Sequence, residues 1–144
     1  MYNDQYQYKI LLIEDNEGDY LILSEYLKDI FQSYTLTRLA TYGDLEKISN
    51  YQEHDVVLLD LSLPDKKGGE LVKLVLAQFP FTPILVLTGH LELEFAKKSL
   101  ALGIADYLIK ENTSPDLLYK SIVYSLERFK DRKSTRLNSS HLLI

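Results

Sequence analysis

Four short apolar runs in this chain each stop at a polar residue of a different chemical kind. Residues 10–13 stop at Glu14 and Asp15, 56–59 at Asp60, 84–87 at Thr88 and 107–109 at Lys110. If the runs are parallel strands, their ends share one edge of a sheet, and three carboxylates, a hydroxyl and an ammonium converge in one crevice. Carboxylate oxygens are nucleophiles and ligands for hard cations, an ammonium offsets anionic charge, and a hydroxyl can donate to a newly formed acceptor. Two carboxylates about 4 Å apart repel by about 4 kcal/mol at an effective dielectric near 20. Glu14, Asp15 and Asp60 therefore need a counter-ion if all three are to stay ionised, and a hard divalent cation meets that need. Singly, these residues carry little weight: a Glu-Asp pair can merely cap a helix, an aspartate after a strand is usually a turn residue, and a lone lysine is usually on the surface. Their recurrence at matching strand ends is what points to a site.

The elements that would position them follow from apolar spacing. Short runs rich in Val, Ile and Leu, without alternation, have the pattern of strands buried on both faces. After the first run, Asn16 can cap a helix in which Leu23, Leu27 and Ile30 form one stripe. Residues 34–39 have the β-branched and aromatic content of a second strand, and 43–50 read as a short, weakly patterned helix. A loop over 61–67 leads to a helix over 68–79, which Pro80 and Pro83 end; a fourth helix over 91–102 stops at Gly103. Ser114, Pro115 and Asp116 give a strong start for a fifth helix with Leu118, Ile122, Leu126 and Phe129 on its buried side. Strands alternating with helices in this way predict an α/β fold with a parallel sheet covered on both faces.

A chain of 144 residues fits one domain. Its 21 acidic against 16 basic residues argue against nucleic-acid binding. Cysteine is absent, which excludes disulfides and thiolate metal sites, and the opening MYNDQYQYK lacks the apolar core of a signal peptide. No run approaches the roughly 20 apolar residues that span a bilayer. The expectation is a cytoplasmic protein with no membrane partner. Residues 1–7 read as a polar lead and 8–130 as the domain. The segment DRKSTRLNSSH, from Asp131, breaks the preceding helical pattern and resembles the translation of a sequencing-adapter oligonucleotide, so 131–144 are expected to be a non-native tail. Without its three basic and one acidic residues the formal charge moves from -5 to -7. The natural protein is expected to continue beyond Lys130.

ILLIEDN at 10–16, DVVLLDLSLPDKKGGEL at 55–71, PILVLTG at 83–89 and ADYLIK at 105–110 resemble the receiver domain of two-component response regulators, in order and over residues 8–130. Asn16, Gly18 and Asp19, with YSLER at 124–128, look closest to receivers at the N-terminus of larger signalling proteins. The resemblance implies a flavodoxin-like, doubly wound five-stranded sheet of order 2-1-3-4-5 with its crevice at the switch point. It implies that Asp60 is a phosphoacceptor, that Mg²⁺ is held by Asp15 and Asp60 directly, by Glu14 partly through water and by the backbone carbonyl of Ser62, and that Lys110 pairs with the phosphoryl group. Thr88 and Tyr107 would carry the switch to the surface of the fourth helix, fifth strand and fifth helix. Gly89 would leave room for the phosphoryl group, and His90 stands where relatives tune its hydrolysis. The implied partner is a sensor histidine kinase or phosphotransfer protein, with a downstream output domain lost by truncation and a homodimer as further partners. Such a domain takes part in its own phosphorylation and is not an enzyme acting on a diffusing pool.

One position departs from the pattern. Many receivers follow the lysine with proline, often in a cis peptide, whereas Glu111 stands here, and a cis bond before a non-proline residue costs about 3 to 4 kcal/mol. A trans bond is expected, with a further acid near the lysine. The rival within the fold is a receiver-like interaction module independent of phosphate. An aspartyl-phosphate phosphohydrolase would want a second acid where Ser62 stands, and a flavin module would want backbone donors and neutral groups where EDNEGD supplies acids. The residues Tyr119, Ile122, Tyr124 and Phe129 are expected mainly to pack on the sheet, with dimerisation as the alternative.

Overall fold

The structure, a computed structural model, describes residues 5–48 and 53–142, with 131–142 as backbone only. The predicted apolar runs form a single parallel sheet: β1 (Tyr8–Ile13), β2 (Tyr34–Leu39), β3 (Val56–Asp60), β4 (Ile84–Thr88) and β5 (Asp106–Ile109). Their order is β2-β1-β3-β4-β5, as expected. Helices α1 (Glu17–Ile30), α2 (Tyr42–Leu45), α3 (Gly68–Gln78), α4 (Leu93–Leu102) and α5 (Pro115–Leu142) connect or follow the strands.

Every residue of β3 and β4 is buried, because each strand serves two cores. Leu11, Ile13, Val57, Leu59 and Val86 meet Leu45, Leu71, Val75 and Ala96 on the side of α2, α3 and α4. The intervening residues Ile10, Leu12, Leu58, Leu85 and Leu87 meet Leu23, Leu27, Leu118 and Ile122 of α1 and α5. Strand β2, at an edge, alternates between exposed and half-buried residues until Leu39. Period-two alternation thus survives only where one side meets solvent.

Register places the site. Ile13 pairs with Leu59, Asp60 with Leu87, and Thr88 with Ile109. The next residues, Glu14, Asp60, Thr88 and Lys110, therefore emerge along one edge without any long loop to align them.

Local signals set most helix ends. Asn16 Oδ1 accepts from the Asp19 amide at 2.8 Å and starts α1, and Ser114 Oγ accepts from the Leu117 amide at 3.2 Å at the start of α5. Gly103 ends α4 at a φ of 122°, a conformation that side chains resist. Three expectations need correction. The second helix is one turn, Tyr42–Leu45, capped by Thr41 and by Asp65, whose carboxylate accepts from the Tyr42 and Gly43 amides; Asn50 lies outside the described residues. The fourth helix is preceded by a separate 3₁₀ turn, His90–Glu92. The fifth does not break at Asp131 but continues to Leu142, because no Pro or Gly interrupts that stretch. Of the aromatic and aliphatic residues weighed for dimerisation, Ile122 and Phe129 are buried, Tyr119 packs on the core, and Tyr124 faces outward under the Arg128 guanidinium. Among the described residues no helix is long and apolar enough to cross a membrane.

Since β3 fills both cores, neither face can absorb a cavity by exposing it. Leu58→Ala and Leu59→Ala should each cost about 3 kcal/mol in urea denaturation, with similar losses on the two faces; a loss below about 1 kcal/mol at either position would contradict the two-core packing.

Candidate functional site

The strand ends bring carboxylate oxygens of Glu14, Asp15 and Asp60 within 4.8 Å of one another. Glu14 is wholly buried, Asp60 is 5% exposed, and Asp15 faces solvent. The Lys110 ammonium sits among the acids, 2.7 Å from Glu14 Oε1, 2.9 Å from Asp19 Oδ2 and 3.4 Å from Asp60 Oδ1. Glu14 Oε2 accepts from the Asn16 amide at 3.2 Å, while Oε1 meets Lys110 as an ion pair off hydrogen-bond alignment. A buried carboxylate oxygen without an aligned donor, beside two more carboxylates, fits a hard cation with oxygen ligands. The residues present thus suit such an ion.

Electrostatics follow from this crowding. Burial pushes the Asp60 carboxyl above the ordinary aspartate value, the hydrogen bond and charge of Glu14 push it further, and Lys110 and the Ser62 amide act in the opposite direction. For Lys110, burial lowers the ammonium, but the close carboxylates of Glu14 and Asp19 and the charge of Asp60 hold it above the ordinary lysine value. It stays charged.

Thr88 is fully buried at the end of β4, and its hydroxyl donates to the Gly89 carbonyl at 3.0 Å, not to Asp60. Tyr107, paired with Val86 across the sheet, is half-buried against the α3–α4 side of the core. The Ser62 amide donates to Asp60 Oδ1 at 3.3 Å, and its hydroxyl hydrogen-bonds Glu92. His90 is exposed on its turn. The Lys110–Glu111 peptide is trans. Glu111 is exposed and its carboxylate lies near Gly89, where an added Cβ would be 3.5 Å from Oε1. The acids on the lysine are Glu14, Asp19 and Asp60, not Glu111.

Three contributors escaped the sequence. Asp19 enters the sequence reading only as part of the Asn16, Gly18, Asp19 resemblance, with no role at the site. Arg38, in an edge strand, donates from Nε to the Glu14 carbonyl at 3.0 Å and from a terminal nitrogen to the Asp15 carbonyl at 3.2 Å. It also pairs with Glu17 at 2.7 Å and lies over the Tyr20 ring. It thereby braces the acidic loop from behind. Glu92, the third, ties the turn after β4 to Ser62. A cavity of about 420 Å³ lined by Phe79, Phe81, Phe129 and His54 opens elsewhere, at the amino ends of β3 and β4. Its lining shares no residue with the acidic edge.

Residues 10–122 match the response regulator receiver domain family. The chain is 36% identical over 112 residues to the cell cycle response regulator CtrA of Brucella ovis, an alignment that covers 76% of this chain and 47% of that protein. It therefore spans about half the length of such relatives. Among solved structures, a CheY-like response regulator receiver domain protein from Methanospirillum hungatei JF-1 superposes with a TM-score of 0.74 at 26% identity, covering 88% of this chain and 99% of that one. NtrX from Brucella abortus gives a TM-score of 0.77 at 21% identity over 92% of this chain and 30% of its own, a likeness of fold.

The crowded acids have a measurable cost. The folded Asp60 carboxyl keeps its proton to higher pH than in the unfolded chain, so the unfolded state binds fewer protons above about pH 4 and stability falls as pH rises from there. Without divalent cations at pH 8, Asp60→Asn should therefore be more stable than the parent by about 1–2 kcal/mol, or roughly 3–8 °C in Tm. The gap should close toward pH 4, as followed by thermal melts; a variant less stable than the parent at pH 8 would refute it.

Proposed function

The chain belongs to the response regulator receiver domain family, and we propose that in it Asp60 accepts a phosphoryl group from a sensor histidine kinase or phosphotransfer protein. The observation that carries this reading is the single edge at which Asp60, Glu14, Asp15 and Lys110 meet, with the ammonium 3.4 Å from Asp60 Oδ1. An Asp60 carboxylate oxygen attacks phosphorus in line. A new O–P bond forms as the bond from phosphorus to the donor nitrogen breaks, and its electron pair stays on the donor imidazole. Little covalent assistance is needed, so positioning and electrostatics supply most of the rate. Lys110 offsets charge on the equatorial oxygens.

Glu14, Asp15 and Asp60, with the Ser62 backbone carbonyl, would hold Mg²⁺. When bound, it neutralises the acids and the transferred group's charge. Arg38 keeps the carbonyls of the acidic loop fixed, so its two carboxylates face the edge.

Readout falls to Thr88 and Tyr107. The Thr88 hydroxyl holds only a local backbone partner and is free to exchange it for a phosphoryl oxygen. Tyr107, half-buried on the neighbouring strand opposite Val86, would take the space vacated. The change would bias an existing equilibrium at the face of α4, β5 and α5. The domain is then a cytoplasmic switch that undergoes phosphorylation, not an enzyme with a separate substrate pool, and its output lies in a further module, in keeping with relatives about twice as long.

Incubation with phosphoramidate or acetyl phosphate should add one base-labile phosphoryl group by intact mass. The gain should need Mg²⁺ and vanish in Asp60→Asn. No gain under conditions that modify a control receiver would favour a phosphate-independent interaction module.

A further inference from the structure

The Lys110 ammonium lies within ion-pair distance of three carboxylates from three elements, Glu14 after β1, Asp19 in the first turn of α1 and Asp60 ending β3, and it donates its aligned hydrogen bond to Asp19. The contacts are unequal. Those to Glu14 and Asp19 are short, and that to Asp60 is long. The ammonium is therefore held back toward α1. A shift of the ammonium toward a phosphoryl oxygen on Asp60 would lengthen one of the short contacts.

Burial decides which one yields. Glu14 is wholly buried, so losing the ammonium would strand a charge away from water, at a large cost. The Asp19 side chain is 35% exposed and sits near the N-terminus of a 14-residue helix, where the backbone field favours an anion. Beside the pair is a cavity of about 40 Å³, lined by Ile22, Tyr26 and Thr113 among others. That is ample for a water to take the ammonium's place on Asp19.

The geometry points to Asp19 as a positioning residue that competes with the phosphoryl group for Lys110, restraining phosphorylation until the ammonium transfers from α1 to the group on Asp60. Asp19 need not touch the phosphoryl group. It acts through the lysine, and the transfer releases a tie between the first turn of α1 and the end of β5.

This inference rests on Asp60 being the phosphoacceptor, and one experiment separates the two. The probe is beryllofluoride, a tetrahedral stand-in for a phosphoryl group on a carboxylate, added with saturating Mg²⁺ and followed by ¹⁹F NMR. Parent binding that vanishes in Asp60→Asn supports the phosphoacceptor reading; no parent binding sinks that reading and this inference with it. With the parent binding, Asp19→Asn and Asp19→Ala should each bind the probe about three- to tenfold more tightly, the scale of one partly exposed ion pair. Both variants are used because an asparagine oxygen can still accept from Lys110. Glu111→Gln controls for general charge, since Glu111 is also acidic and near Gly89 but does not hold the ammonium; it should bind like the parent. Unchanged or weaker binding in both Asp19 variants, or equal tightening in Glu111→Gln, would overturn the assignment while leaving the phosphoacceptor standing. Thermal melts in the same buffer establish that each variant is folded.

Discussion

One ammonium shared by several carboxylates is the interaction on which this structure turns. Glu14 and Asp60 lie almost wholly out of water, and carboxylates so close repel by several kcal/mol at any reasonable effective dielectric. Lys110 offsets part of that repulsion and links three segments far apart in sequence. Its compensation is incomplete, as the raised proton affinity of Asp60 shows. A site left short of positive charge is suited to gain a divalent cation.

The sheet makes such crowding tolerable. Strands β1, β3 and β4 are locked by cores on both faces, and their register delivers the acids and the lysine to one edge. A slip by one residue would turn every apolar side chain to the opposite core and move the acids out of line. Repulsion at the edge therefore acts against packing along the whole strand. Arg38 extends the restraint to the loop after β1, where backbone carbonyls instead of side chains are gripped. The carboxylates of that loop stay available.

What the sequence made legible was whatever depends on short patterns. Buried strands show as unbroken apolar runs, and once they are parallel Glu14, Asp15, Asp60, Thr88 and Lys110 must share an edge. Helix ends with a side-chain cap and a following proline, such as Ser114–Pro115, were also readable. Three-dimensional pairings were not. Asp19 and Lys110 meet across 91 residues, and nothing in the local pattern distinguishes Asp19 from an ordinary first-turn acid. Arg38 follows alternating residues in an edge strand, where an arginine usually reads as exposed. The one-turn α2 depends on Asp65, from a loop 22 residues away, holding its amides. Glu111 is adjacent to Lys110 in sequence, yet its side chain leaves toward Gly89 while more distant acids hold the lysine.

The segment after β4 shows how charge at the edge can reach a surface. It is fixed near one end by Thr88, whose hydroxyl bonds only its neighbour's carbonyl, and at the other by Glu92, which bonds the Ser62 hydroxyl beside Asp60. Between these points lie Gly89 and the exposed His90 and Leu91, with no buried side chain to hold them. A segment anchored by two polar contacts and little packing can be redirected by changing those contacts, whereas the strands behind it cannot move without disrupting two cores. Any new anion on Asp60 would be close to Ser62 and compete for the same donors as Glu92. The rigid sheet and the lightly held turn therefore divide the work: one keeps the charges in place, and the other is free to respond to them.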